Sequence, residues 1–176
     1  GIYFAYWTHE WYADYKQFMD KLARLGFDVM EVTCAAFANT YTTDEQLVEL
    51  REHAKEKKLM MTAGYGPTKT QNLCSTDANV VRSAREFFVE TFRKLELMDI
   101  HLLGGGLYSY WPVDYNLPVD KKGDWKRAVE NLREVAKHAE QRGIVLGMEV
   151  LNRFEGFLIN TCEEALEFIA DVGMPN

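Results

Sequence analysis

The sequence has no surplus of basic side chains: 20 Lys and Arg stand against 27 Asp and Glu, for a net charge of −7 over 176 residues. Such a balance offers no excess of cations to displace counterions from a phosphate backbone, so nucleic acid is not an expected partner. No apolar run is long enough to span a bilayer and no signal-peptide pattern opens the chain, so neither membrane insertion nor secretion is expected. The three cysteines, Cys34, Cys74 and Cys162, are far apart and form no CxxC. An odd, dispersed set reads as reduced thiols in a cytoplasmic protein. The four histidines, His9, His53, His101 and His138, are equally scattered, and HExxH is missing. GxSxG and Cys/His nucleophile motifs are missing as well. Gly104-Gly-Gly106 lacks the GxGxxG spacing and does not lead directly into a helix, which argues against dinucleotide binding. The chain opens at Gly1 and not at Met, so at least one preceding residue is expected.

What is present is an ordinary globular composition, 47% hydrophobic and 27% charged, sufficient for one domain with a real core. Short β-rich runs alternate with amphipathic stretches. Strands are predicted at 2–6, 27–32, 59–63, 100–103 and 145–150. The first helix follows the spacing Trp11, Tyr15, Phe18, Leu22, Leu25 and stops at Gly26. Thr43 with Gln46 forms a capping box for the second, which buries Leu47, Leu50 and Ala54. Thr76 is the expected N-cap of the third and Asp124 that of the fourth, which Gly143 closes. Thr161 with Glu164 makes another capping box, and the last helix runs to about Gly173. Five strand-then-helix units without a linker make a parallel sheet. An open doubly wound sheet and part of a (β/α)₈ barrel both satisfy the pattern. Polar and aromatic residues gather after the first, third, fourth and fifth strands, which suits a barrel mouth.

The most informative stretch is Leu146-Gly-Met-Glu-Val-Leu-Asn-Arg-Phe-Glu155. Leu146, Met148 and Val150 fall on one face of a period-two pattern, wholly apolar; Val145, Gly147 and Glu149 fall on the other. Glu149 is thus expected to point into an interior for which Gly147 leaves room. Asn152, Arg153 and Glu155 converge just beyond, where α/β proteins bind ligands. A structural alternative remains, in which Glu149 pairs with Arg153 or with a more distant Arg. His53 and His138 are expected to be solvated, whereas His101 could face a barrel interior or be a satisfied core histidine. Trp7, Trp11 and Trp111 can be core aromatics or sugar-stacking platforms.

Five segments, Gly1-Ile-Tyr-Phe-Ala-Tyr-Trp7, Gly26-Phe-Asp28, Gly64-Tyr-Gly-Pro67, Gly104-Gly-Gly-Leu-Tyr-Ser-Tyr-Trp-Pro112 and Met148-Glu-Val-Leu-Asn-Arg-Phe-Glu155, resemble the ketose 3-epimerases, a family that includes D-psicose (D-allulose) and D-tagatose 3-epimerases. The resemblance implies a (β/α)₈ TIM barrel of the xylose-isomerase-like class. Residues 1–176 would form a single partial barrel domain made of the first five βα units. It implies inversion at C3 of free ketohexoses (D-fructose, D-psicose, D-tagatose) through a cis-enediolate stabilised by a divalent metal, Mn²⁺ or Co²⁺ with Mg²⁺ possible. By the same resemblance Glu149 is both a metal ligand and one of two acid/base residues, and Glu155 hydrogen-bonds the sugar near its carbonyl end. Tyr3, Trp11, Gly64, Gly105, Leu107 and Trp111 would line the sugar pocket. The remaining metal ligands, an Asp, a His and a second catalytic Glu, belong to the last three βα units of the family and have no counterpart in these residues. A cytoplasmic homo-oligomer, dimer or tetramer, is implied. Two other readings are kept: another xylose-isomerase-like sugar isomerase or hydroxypyruvate isomerase, and a catalytically incomplete half-barrel. An endonuclease IV-like role is disfavoured by the acidic charge and the lack of histidine ligand motifs.

Overall fold

The apolar runs pair edge to edge because each can bury one face under the helix that follows it. The structure is a computed structural model and describes residues 1–10 and 13–176. Among these, the strands are β1 (Ile2–Tyr3), β2 (Val29–Thr33), β3 (Met60–Gly64), β4 (Leu102–Gly105) and β5 (Val145–Met148). All pair in parallel, in the order β1-β2-β3-β4-β5. That sequential order, with no reversal, excludes the doubly wound sheet, which needs a switch point. The chain forms a partial α/β barrel.

The helices are α1 (Tyr15–Leu25), the short α2 (Ala36–Asn39), α3 (Asp44–Glu56), α4 (Ala78–Leu97), α5 (Lys121–Glu140) and α6 (Cys162–Val172). Single 3₁₀ turns at Phe4–Trp7 and Lys69–Gln71 complete the set. Met30, Val32, Met61, Ala63 and Leu103 point to the helical side and are buried. They meet Leu22 of α1, Leu47 and Leu50 of α3, and Phe88, Phe92 and Leu95 of α4, in one continuous core. Glu31, Thr62, Gly64, Gly104 and Gly147 alternate with them onto the other face of the strands.

Local chemistry explains where the boundaries depart from expectation. The first strand stops after Tyr3, because Phe4–Trp7 coils into a 3₁₀ turn that buries Phe4 against Tyr15 and Phe18. Trp7 stacks on Phe18 and carries Lys21 over its ring, on the helical side. Asp14 caps α1 by accepting from Lys16 N, and Gly26 ends it at φ 78°. Leu25, placed on the buried stripe by periodicity, is exposed. The Thr43/Gln46 box is formed as expected. Asp77 caps α4 in place of Thr76, its carboxylate accepting from Asn79 N, and Asp120 caps α5 in place of Asp124, accepting from Gly123 N. A carboxylate at that position both satisfies a free N–H and opposes the helix dipole. Thr161 accepts from Glu164 N, but the Glu164 carboxylate reaches back to Asn160 N and to Lys121. His101 lies before β4 and is exposed, bonded to Gly143 O and Asp99, so neither the barrel-facing nor the core reading holds. His53 is half-buried against Asp20 at 2.9 Å.

Candidate functional site

Strand register sets the floor of the site. Gly64 on β3 pairs with Gly104 on β4, which pairs with Gly147 on β5. Three neighbouring strands therefore present bare backbone to the same spot. A Cβ built at Gly104 would stay 4.0 Å from its neighbours and one at Gly147 3.6 Å, so the sheet itself does not demand glycine there. Their effect is to leave space, and above them opens a cavity of about 700 Å³ at the C-terminal ends of the strands. Gly105 is glycine for a different reason: its φ is +132°, and a Cβ would overlap the Tyr65 carbonyl oxygen.

Glu149 stands at the wall of this cavity, one residue past β5. Its backbone is clamped: Glu149 N donates to Gly105 O at 3.0 Å, and the Tyr108 hydroxyl donates to Glu149 O at 2.8 Å. Desolvation, then the negative charges of Glu155 and Glu31, hold the Glu149 carboxyl above the usual Glu range. Its side chain is nevertheless open to the cavity and not enclosed in a core. The alternative pairing with Arg153 is not seen; that guanidinium lies 5.2 Å from the Phe154 ring. Glu155 lines the same cavity, steadied by Asn152, whose side-chain amide donates to the Glu155 carboxylate.

The opposite wall comes from β1 and β2. Tyr3 pairs in register with Glu31, and both face the cavity together with Thr33. Trp111 closes the rim from the long loop after β4, and the peptide bond that follows it, to Pro112, is cis. Its N–H donates to Pro67 O at 2.7 Å, and the Lys69–Asp114 ion pair, also 2.7 Å, ties the same two loops.

Of the residues singled out from sequence, Tyr3, Gly64, Gly105, Trp111, Glu149 and Glu155 thus border one cavity. Leu107 is fully buried and is not on its wall. Trp11 lies outside the described residues. Glu31, Thr33 and Gly66 border the cavity too, and sequence reasoning did not assign them to it. The usable signal was the alternation Val29-Met-Glu-Val-Thr33, which puts Glu31 on the face opposite Met30 and Val32.

The buried Cys34 and Cys74 offer no nucleophile: burial pushes both thiols up, Cys74 to about 11. A catalytic divalent metal generally takes about three protein ligands. Among the described residues no group of three or more His, Cys, Asp or Glu is placed to hold one. Glu149 has the right donor chemistry but is a single donor, so these residues do not by themselves make the metal centre that the family resemblance implies.

Comparison with known proteins gives a consistent result. The family model described as "Xylose isomerase-like TIM barrel" matches residues 19–176. A D-psicose 3-epimerase from Enterocloster bolteae is 64% identical over 173 residues, 98% of this chain and 58% of that protein. One from Agrobacterium fabrum is 47% identical over the whole chain and 60% of its own length. The crystal structure of D-psicose 3-epimerase with D-tagatose from Clostridium cellulolyticum H10 superposes with a TM-score of 0.96 at 46% identity, covering 98% of this chain and 59% of that one. The chain spans about three-fifths of the length of the relatives it matches.

Proposed function

The chain belongs to the xylose isomerase-like TIM-barrel family, and from that premise we propose that it is the N-terminal part of a ketose 3-epimerase acting on free ketohexoses such as D-fructose, D-psicose or D-tagatose. The observation that carries this reading is Glu149, a carboxylate held at the end of β5 over a glycine-floored cavity that Trp111 and Glu155 border. The C3 proton of a ketose is acidified weakly by the neighbouring carbonyl, so its removal needs a positioned base. Desolvation and like charges raise the basicity of Glu149, bringing its carboxyl closer to the range useful near neutral pH. The clamp on its backbone from Gly105 and Tyr108 fixes where that base stands.

Inversion needs removal on one face and return on the other, hence a second acid/base group opposite Glu149, supplied from outside these residues. A divalent cofactor, Mn²⁺ or Co²⁺ with Mg²⁺ as a third option, belongs to the proposal, with Glu149 as one ligand of several. Tyr3, Trp11, Gly64, Gly105 and Trp111 are proposed as the sugar-binding set, with Leu107 packed behind it, and Glu155 as the group that orients the carbonyl end. Cytoplasmic residence and a dimeric or tetrameric assembly complete the reading; the free thiols Cys34, Cys74 and Cys162 support the first.

The test separates the two glutamates in the full-length protein. Glu149→Gln should lower turnover by more than about 10²-fold and weaken Mn²⁺ binding in a calorimetric titration. Glu155→Gln should lower turnover while leaving Mn²⁺ affinity nearly unchanged. Near-normal turnover and metal affinity in Glu149→Gln would remove the basis of the proposal.

A further inference from the structure

The cavity has a second carboxylate wall to which the proposed chemistry assigns no contact with the sugar. Glu31 sits on β2 between Tyr3 of β1 and Thr62 of β3, each its register partner. Its side chain is half-buried and faces the cavity, three strands away from Glu149. Its one side-chain hydrogen bond among the described residues is a long one, from Thr62 Oγ1 at 3.3 Å, and no cation pairs with it there. An ionised carboxylate offers about four acceptor sites. A half-buried one with a single weak donor is costly unless other donors arrive.

The neighbouring strand is shaped around this group. A Cβ at Gly64 would lie 3.1 Å from Glu31 Oε1, tighter than ordinary contact, so the glycine gives the carboxylate its clearance. Tyr3 and Thr33 place two more hydroxyl-bearing side chains on the same wall. An acceptor in a polar recess, three strands from Glu149 across the cavity, suits a ligand that brings hydroxyl donors. We propose that Glu31 is a binding residue for the polyol end of the substrate, accepting hydrogen bonds from hydroxyl groups beyond the reacting carbon, with Gly64 as the residue that keeps the carboxylate in place. This rests on the ketose reading above and deepens it: Glu149 serves the reaction, Glu31 measures the far end of the sugar.

The experiment uses the full-length protein with Mn²⁺ and compares D-psicose with ketoses lacking the C4, C5 or C6 hydroxyl, or the whole C6 carbon. Glu31→Gln should raise KM for D-psicose about tenfold or more, the scale of one charge-assisted hydrogen bond, while any fall in kcat, from loss of the negative charge near Glu149, should be the same for every ketose tested. The penalty should shrink toward one for the analogue that lacks the hydroxyl Glu31 accepts. Gly64→Ala, which displaces the carboxylate without removing it, should reproduce the same analogue dependence and serves as the second variant if Glu31→Gln folds poorly. An unchanged KM, or an equal penalty for every analogue, overturns the inference; the latter would mean that Glu31 supports the fold or pairs with a cation from elsewhere in the protein. If the unaltered protein turns over no ketose at all, the epimerase reading falls first and this one with it.

Discussion

Desolvation, then the nearby carboxylates of Glu155 and Glu31, raise the energy of the charged form of Glu149, so its ionisation opposes folding in the absence of a metal. The sign follows from linkage. A carboxyl whose folded pKa lies above its unfolded value holds its proton longer in the native state, so stability falls as pH rises through that window. Glu149→Gln should therefore raise the urea midpoint of the metal-free 176-residue chain at pH 7, with the gain fading as the pH drops below the usual Glu range. An unchanged midpoint would mean that solvent in the open cavity screens the repulsion. Gly105 makes the opposite case, where the backbone and not charge decides. With φ at +132° and the Tyr65 carbonyl where a Cβ would go, Gly105→Ala should destabilise by about 3 kcal/mol or more. Gly106→Ala, whose Cβ would meet only Leu151 Cδ1 at 3.4 Å, is the control and should shift stability by less than about 1 kcal/mol. Both follow from denaturation of the purified variants.

Among the elements, α6 carries a pH-sensitive end. Lys121, then the Asn160 and Thr161 backbone, hold the Glu164 carboxyl below the ordinary range. A depressed folded pKa gives stability that is present above the unfolded value and lost as pH falls through the folded one. Glu164→Gln should lower stability by up to about 1 kcal/mol at pH 7, the scale of a partly exposed ion pair with supporting hydrogen bonds. The difference should close as the pH falls through the lowered folded value, below which both proteins carry a neutral side chain; a gap that persisted there would assign the effect to shape and not charge. Caps of this kind mark how far local sequence reaches. Thr43 with Gln46 and the stops at Gly26 and Gly173 were legible because one turn of chain contains all their partners. Asp120 was missed in favour of Asp124: both are capping residue types four apart, and the choice depended on Gly123 entering the helix. The first strand was overcalled because Phe4-Ala-Tyr-Trp7 has strand composition, yet the pull of Tyr15 and Phe18 on Phe4 coils it. Glu149 could be placed on the inner face from Gly147 alone. Glu31 could not be assigned a site, since its neighbours Tyr3 and Thr62 come from other βα units and register is not written in any one of them.

For the molecule as a whole, the inner face of the sheet divides into a polar mouth and an apolar lower part. Met60, Leu102 and Val145 are 62%, 42% and 50% exposed there, and a face of that character normally meets another surface. The β1 edge is two residues long, while beside β5 the chain returns and Asn176 O accepts from Leu146 N at 2.8 Å. Expressed alone, residues 1–176 should not convert D-fructose or D-psicose in the presence of Mn²⁺, since Glu149 alone cannot hold a metal or act on both faces of C3. The same protein should associate at micromolar concentration in analytical ultracentrifugation, and Val145→Lys should reduce that association. Robust metal-dependent conversion by the pure fragment would contradict this account of the site.

The glycine row across β3, β4 and β5 also limits how the protein can change. With no side chains on that part of the floor, its depth is set by the sheet backbone, which cannot recede to admit something larger. At Gly104 and Gly147, however, an alanine would meet only ordinary contacts. Mutation at these positions is thus a ratchet. Each tolerated step takes volume out of the cavity and none can add any, so ligand range can be narrowed there one methyl at a time. Broadening it must come from the Trp111 rim, whose loop carries side chains that can be cut back.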